Sequence, residues 1–412
     1  MSEPWKTDRW FASPWNYAPE VRQNLNFSGQ IRIHDVTLRD GEQQAGIVFR
    51  RQEKVAIAKK LAEAGVHRIE AGMPVVSAED EAAIKEIVDL GLESEIFSFA
   101  RCIPADVKLA KECGVKGIIT EIPSSDHIIK NAYGKTMDWA IKSSIETTLA
   151  AKEAGLYTVF FTIDSTRSDL DRYMDLVEKV ATEGHMDAMT LADSFGVCGP
   201  EAISMVVRKL KARFKQPIEI HCHEDFGLGV ANTIAALANG ASVAHVTVSA
   251  TGERAGNVPL EDTVMALRCL YGVDLGIKTE KFYELSKLVQ ELAGFKLPPN
   301  RPIVGDWLYY IESGIVTMFH RRCKVVEPLE YIPFHPDMVG RPGVDIALGK
   351  GSGLANIEEH LERRGWEAPP ELANEILARV KQTSIEKKAL LTGAEFDEIA
   401  NAVLREAAVA KG

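Results

Sequence analysis

Pro217-Ile218-Glu219-Ile220-His221-Cys222-His223-Glu224-Asp225 is the stretch from which the fold is read. Residues 217–220 have the β-branched character of a buried strand, and the strand closes on a His-Cys-His triplet. Side chains two apart on a strand point the same way, so His221 and His223 share one face while Cys222 takes the other. Two imidazoles side by side at a strand end have the geometry of a metal site. Two unrelated histidines near a strand end are the plain alternative.

Outward from this strand the chain alternates. Short β-type runs fall at 31–36, 67–71, 95–100, 117–122, 156–163, 187–192, 217–223 and 243–250. Between them lie amphipathic helical stretches, among them 52–64, 78–90, 137–154, 170–183, 201–214, 230–240 and 260–271. Eight strands alternating with helices predict an α/β fold, a (β/α)8 TIM barrel over residues 29–275. An open doubly wound sheet would carry a Gly-rich phosphate turn after its first strand, and 35–41 is not one. Residues 1–28, with Trp5, Trp10, Trp15, Tyr17 and Phe27, read as an extended aromatic arm. After 275 the alternation stops. Residues 276–297 look helical, Pro298-Pro299-Asn300-Arg301-Pro302 marks a linker, and 303–348 are mixed and loop-rich. Helices at 354–364, 370–388 and 393–409 finish a mostly helical C-terminal subdomain, 349–412, with 276–348 as the connecting unit.

The 412 residues are 46% hydrophobic and 26% charged, an ordinary globular profile, and the formal charge is −11. No basic cluster tracks a phosphate backbone, which argues against a nucleic-acid partner. No apolar run approaches the length of a membrane span, and the first residues lack a signal pattern. Six scattered cysteines without a C-x-x-C pair suit reduced thiols in a cytoplasmic enzyme.

Barrel active sites sit at the C-terminal ends of the strands. His221 and His223 end strand 7, Thr37-Leu38-Arg39-Asp40-Gly41-Glu42-Gln43 follows strand 1, and Gly252-Glu253-Arg254-Ala255-Gly256-Asn257 follows strand 8. Closure makes strand 8 the neighbour of both 7 and 1, so three polar clusters converge on one arc of the rim. Asp40 is then the carboxylate partner of the two imidazoles, unless it is a helix N-cap, and Asn257 is either a fourth oxygen ligand or a turn residue. Mixed N/O ligation admits Mn2+, Mg2+, Zn2+ or Co2+. Arg39 suits an oxygen that gains negative charge, or else a structural ion pair. These residues alone point to a divalent-metal barrel enzyme acting on a carbonyl, without choosing between making and breaking a carbon–carbon bond.

Asp35-Val36-Thr37-Leu38-Arg39-Asp40-Gly41-Glu42-Gln43, with His221-Cys222-His223 and Gly252–Asn257, resembles the DRE-TIM metallolyases. That superfamily includes 2-isopropylmalate, homocitrate and citramalate synthases and hydroxymethylglutaryl-CoA lyase. The resemblance implies Asp40, His221 and His223 as metal ligands, Asn257 as a residue that ligates or flanks the metal, and Arg39 as the catalytic arginine. Asn300-Arg301-Pro302-Ile303-Val304-Gly305, Glu312-Ser313-Gly314-Ile315 and Leu348-Gly349-Lys350-Gly351-Ser352-Gly353 resemble the subdomains that follow the barrel in the synthases and are lacking in the lyases. The implied activity is metal-dependent condensation of an acyl-CoA, acetyl-CoA above all, with a 2-oxoacid, in amino-acid biosynthesis, by a homodimer. Gln43, Arg167 and Ser194 then belong to substrate binding. A carbon–carbon lyase or a non-catalytic homologue is the alternative.

The sequence departs from the family pattern. Ser313-Gly314-Ile315-Val316 has valine where synthases carry a proton-transferring histidine, and His320, four residues on and one turn away if the stretch is helical, is the stand-in. Phe161 and Ile163 occupy positions usually held by serine and glutamate, which makes the pocket more apolar. Ser194 replaces a threonine and keeps the hydroxyl, and Glu224 replaces an asparagine. The expected base is Glu253, Glu224 or His320.

Overall fold

The computed structural model describes residues 3–411. Residues 1, 2 and 412, the outermost ends of the expected arm and helical tail, lie outside the described residues. The chain divides into two compact units, Pro14–Leu297 and a second made of Met1–Ser13 with Pro298–Gly412.

The first unit is a closed parallel barrel in the order β1-β2-β3-β4-β5-β6-β7-β8. The strands are β1 (Arg32–Asp35), β2 (Arg68–Glu70), β3 (Glu95–Arg101), β4 (Gly117–Pro123), β5 (Tyr157–Ile163), β6 (Ala188–Asp193), β7 (Ile218–Cys222) and β8 (Val243–Val246). A long helix follows each: α1 (Arg51–Glu63), α2 (Ala78–Asp89), α3 (Pro104–Glu112), α4 (Met137–Glu153), α5 (Leu170–Glu183), α6 (Pro200–Arg213), α7 (Gly229–Leu237) and α8 (Leu260–Tyr271), with a short extra helix, Asp126–Asn131, between β4 and α4. The helix starts obey simple chemistry. The side chains of Ser77, Thr136 and Asp169 accept amide hydrogen bonds at the starts of α2, α4 and α5, while Pro104 and Pro200 open α3 and α6.

Strand alternation sorts the side chains. Phe97, Phe99, Ile119, Val159 and Phe161 cluster in one buried core, and they occupy alternate positions of β3, β4 and β5. By the same alternation Glu121 shares a face with Ile119 on β4, and Glu219 and His221 share one on β7. The opposite faces carry residues such as Ile33, Ile69, Ile118 and Ile220, all buried.

The barrel unit runs past the expected boundary at 275. Helix α9 (Phe282–Ala293) is part of it: Glu284 pairs with Lys60 of α1 at 2.8 Å, and the Lys278 amide donates to the Ala64 carbonyl at 2.8 Å. At the other end, the first residues belong to the second unit. Trp10 forms a β-bridge with Phe334, and the His335 amide donates to the Arg9 carbonyl at 2.9 Å. The expected extended arm of 1–28 is therefore divided, and residues 14–22 form short turns, Pro14–Tyr17 and Pro19–Arg22.

The second unit holds α10 (Gly314–Cys323), α11 (Leu354–Arg363), α12 (Pro370–Lys387) and α13 (Gly393–Lys411). Its core gathers Leu348, Ile357, Leu361, Ile376, Val380 and Phe396. The loop-rich reading of 303–348 missed α10. No helix among the described residues is long and apolar enough to cross a membrane, and all six cysteines are free thiols.

Candidate metal and substrate site

The turn after β1 is set by Asp35, whose carboxylate accepts from the Thr37 amide at 2.9 Å and the Thr37 hydroxyl at 3.0 Å. The Thr37 hydroxyl accepts in turn from the Val248 amide at 2.8 Å, tying the turn to the segment after β8. Arg39 and Asp40 follow, both buried. Asp40 precedes a single 3-10 turn, Gly41–Gln43, and makes no capping bond to it, which removes the N-cap alternative. Its Oδ1 accepts from Asn257 Nδ2 at 2.8 Å and its Oδ2 from Arg39 Nη1 at 2.7 Å.

Strand β8 ends at Val246 rather than at 250, because the chain turns there. Ser249 and Ala250 take φ of 59° and 60°, and Glu261 accepts the Ser249 amide at 3.0 Å. The loop then folds back onto β7. His223 and Asn257 form an antiparallel bridge, the Glu224 amide donates to the Gly256 carbonyl at 3.0 Å, and the Val258 amide to Cys222 at 3.3 Å. Two glycines permit this return. A Cβ on Gly256, at φ 89°, would lie 1.8 Å from the Ala250 carbonyl oxygen, and one on Gly252, at φ 143°, 2.2 Å from Asn257 Nδ2.

The result is a convergent donor set. His221 Nε2 and His223 Nε2 face one another at 3.2 Å, and His221 Nε2 lies 3.7 Å from Asp40 Oδ2. One ligand atom from each of Asp40, His221 and His223 lies within 4.8 Å of the others, all three residues being buried. Burial pushes both imidazoles below their ordinary pKa, against the pull of Asp40, and so favours the neutral form that can ligate a cation. Burial alone would raise Asp40, but Arg39, the two histidines and the Asn257 hydrogen bond together hold its carboxyl well below the usual range. Asn257 Oδ1 is buried without a hydrogen-bond partner. A carboxylate, two neutral imidazoles and an orphaned amide oxygen fit a divalent cation.

Arg39 donates through Nε to Glu70 and through Nη1 to Asp40, and its guanidinium lies over Phe99 at 3.9 Å from the ring centre. Nη2 is buried with no partner, so the ion-paired arginine retains donors for an incoming oxygen.

A cavity of about 250 Å3 opens over this cluster. Of the residues singled out from sequence, Arg39, Asp40, Gln43, Ser194, His221, His223 and Glu253 line it, and Asn257 stands behind Asp40. Phe99, Phe161, Ile163 and Phe195 supply the apolar lining, and Glu121 and Arg254 complete it. Arg167 does not line the cavity. Its Nε is held by Asp164 Oδ1 at 2.6 Å and its guanidinium covers Phe195 at 3.8 Å, so it can act there only through Phe195. Glu224 is engaged elsewhere too: its carboxylate accepts the Gly229 and Val230 amides at 3.1 Å, capping α7. His320 lies in the second unit, on α10, its ring edge-on to Tyr331 at 5.1 Å, and burial lowers its pKa.

Two carboxylates escaped the sequence reading. Glu70 is wholly buried and links Arg39 to His34, whose Nε2 is 3.1 Å away. Glu121 lines the cavity with Oε1 unpartnered, and burial raises its carboxyl to about 7 against the opposing pull of Arg39 and Arg101. The signal for Glu121 was present: an acid near the C-terminal end of an apolar strand.

A closed parallel barrel with this donor set and a buried arginine at one arc of its mouth defines a barrel enzyme with a candidate divalent-metal site. The chain belongs to the HMGL-like family, whose model matches residues 30–289. It is 43% identical over 377 residues to an Archaeoglobus fulgidus protein provisionally named (R)-citramalate synthase, covering 91% of this chain and 76% of that one. It is 39% identical over 374 residues to a homocitrate synthase of Methanothermobacter thermautotrophicus, covering 91% and 93%. A 2-isopropylmalate synthase of Methanocaldococcus jannaschii matches at 39% over 363 residues, covering 87% and 69%. Among solved structures, the HMG-CoA lyase of Bacillus subtilis shares the fold with a TM-score of 0.60 at 22% identity, covering 66% of this chain and 97% of that one.

Proposed function

We infer that the chain is a divalent-metal-dependent acyltransferase that condenses an acyl-CoA, acetyl-CoA foremost, with a 2-oxoacid. The observation that carries this reading is the meeting of Asp40, His221 and His223 within 4.8 Å, beside a buried arginine with an unpartnered nitrogen. Relatives that cover most of the chain are named as synthases, whereas the likeness to a lyase is one of fold.

In this reading Asp40, His221 and His223 hold the cation, with Asn257 Oδ1 beside them. Mn2+, Mg2+, Zn2+ and Co2+ all suit such N/O donors. When bound, the cation supplies Lewis-acid polarisation of the substrate carbonyl. Arg39 Nη2 donates to the oxygen that gains charge as the carbon–carbon bond forms. Gln43 and Ser194 orient the oxoacid. One base takes the acetyl-CoA methyl proton, either Glu253, exposed on the cavity lining, or His320, a buried imidazole of lowered pKa. Arg167 has a supporting part through Phe195. The active form is a homodimer.

The test is thiol release from acetyl-CoA in the presence of Mn2+ or Mg2+ and a panel of 2-oxoacids. Release that requires both an oxoacid and the cation, and that EDTA abolishes, is expected. Metal binding without turnover on any oxoacid would refute condensation. Deuterium exchange into acetyl-CoA, compared for Glu253→Gln and His320→Ala, separates the two bases.

A further inference from the structure

The donors for the cation come from one arc of the barrel, the ends of β1 and β7 and the segment after β8. In the closed strand order β4 lies opposite β8. A 2-oxoacid anchored at the cation and Arg39 by its carboxylate and oxo group therefore extends its side chain toward β3, β4 and β5.

The lining contributed by those strands is Phe99, Glu121, Phe161 and Ile163. It is apolar apart from one carboxyl. Phe161 is buried and packs edge-on against Phe99 at 5.8 Å and His221 at 5.1 Å, so it closes the space rather than offering a polar contact. Glu121 pairs in register with Phe161 across the β4–β5 ladder, and its Oε1 is buried without a partner. The cations near Glu121 are committed elsewhere. Arg39 bonds Glu70 and Asp40, and Arg101 bonds both oxygens of Asp106 at 2.9 and 3.0 Å. A second carboxylate at the end of a substrate side chain would be stripped of water beside Glu121 with no cation aimed at it, and it would repel Glu121 wherever that carboxyl is ionised, which is the larger part of the population above pH 7.

We propose that Glu121, with Phe99, Phe161 and Ile163, makes this site selective for 2-oxoacids with a single carboxylate and a short apolar side chain, and that Glu121 rejects those whose side chain ends in a second carboxylate. The selection rests on the condensing reading of the site.

The experiment uses the full chain with Mn2+ and acetyl-CoA, following thiol release with pyruvate, 2-oxobutanoate and 2-oxoisovalerate against oxaloacetate and 2-oxoglutarate. The best monocarboxylate is expected to exceed either dicarboxylate in kcat/KM by at least about tenfold. At pH 8, where a carboxyl raised to about 7 is mostly ionised, Glu121→Gln is expected to narrow that ratio by about fivefold or more. A ratio of two substrates within one protein is unmoved by a general loss of activity. If the variant does not fold, the wild-type ratio still decides the selectivity. A wild-type preference for a dicarboxylate, or a ratio unchanged in Glu121→Gln, overturns the proposal and leaves the synthase reading standing. Silence with every oxoacid removes the synthase reading and this selectivity with it.

Discussion

Replacing Asp40 with asparagine keeps the shape of the side chain and removes its charge. In the metal-free protein the change acts on two contacts, Arg39 at 2.7 Å and Asn257 at 2.8 Å. A hydrogen bond to a charged group contributes about 1.5–3 kcal/mol. Arg39 keeps Glu70, the asparagine carbonyl can still accept, and the asparagine is cheaper to bury than a carboxylate, so the expected net loss falls below that range, roughly 1 kcal/mol. The larger effect is on the cation. A cation at 100 times its Kd stabilises the wild-type protein by about 2.7 kcal/mol. At about 2–4 °C per kcal/mol, that is a rise in Tm of roughly 5–10 °C. A hundredfold loss of affinity at the same cation concentration leaves RT ln 2, about 0.4 kcal/mol, and a rise of about 1 °C. The assay is thermal unfolding after EDTA dialysis, with and without Mn2+, in parallel with thiol release. An Asp40→Asn protein that keeps the full Mn2+-dependent rise in Tm would refute Asp40 as a ligand.

Three further outcomes follow from the same geometry. Glu224→Ala removes two amide contacts at the start of α7, so it should lower stability by about 1 kcal/mol in urea unfolding while proton exchange into acetyl-CoA continues; loss of exchange would reinstate Glu224 as the base. Gly252→Ala places a Cβ 2.2 Å from Asn257 Nδ2 at φ 143°, so Mn2+ affinity by calorimetry should fall at least about tenfold, and unchanged affinity would separate the loop from the metal site. Glu219 is buried, which alone would raise its pKa, but His245 and Arg68 lower it to about 2 from 4.5, so its stabilisation is fully present above pH 4.5 and lost as pH falls from 4.5 toward 2. Glu219→Gln should therefore cost about 3 kcal/mol at pH 7 and clearly less at pH 3 in urea unfolding; an equal loss at both would show that ionisation is not what the residue supplies.

The barrel was legible because each strand is a short apolar run and most helices are long and amphipathic. What escaped notice depends on contacts distant in sequence. Val248-Ser249-Ala250 reads as the end of a strand, yet the Glu261 carboxylate and the Thr37 hydroxyl take its amides and bend it into a turn. Helix α10 begins with Gly314-Ile315-Val316-Thr317, a glycine and three β-branched residues of weak helix propensity, so nothing local announces it. The convergence of Asp40, His221 and His223 could be anticipated because their spacing on a strand and their places at strand ends are local properties. Glu121 stood near the C-terminal end of an apolar strand and was open to the same argument, whereas Glu70 gains meaning only when the barrel closes and shows that it faces Arg39 and His34.

The charge balance inside the barrel gives the cation a reason to bind at this arc of the mouth. A series of buried groups starts at Arg39, which donates to Glu70. Glu70 lies 3.1 Å from His34 Nε2, His34 stacks on His245 at 4.6 Å, His245 Nε2 is 2.8 Å from Glu219, and Glu219 accepts from Arg68 at 2.7 Å. Burial, with His245 alongside, pushes His34 down to about 4 despite Glu70 and Glu219, so near neutral pH its ring carries no charge and donates Nε2–H to Glu70. Arg68 then balances Glu219, and Arg39 balances Glu70. Asp40 shares Arg39 with Glu70, so in this series three carboxylates face two guanidiniums, beside two neutral imidazoles and an orphaned amide oxygen. Despite its burial Asp40 stays ionised beside Arg39 and the Asn257 hydrogen bond, and the histidines can offset the excess of acid only by being protonated against their own burial. A divalent cation at Asp40, His221 and His223 removes that imbalance, and its remaining positive charge is matched by the carboxylate of an incoming oxoacid. The polar lumen and the metal site are thus one electrostatic system, in which a single-charge change at Glu70 should weaken cation binding although Glu70 is not among the ligands.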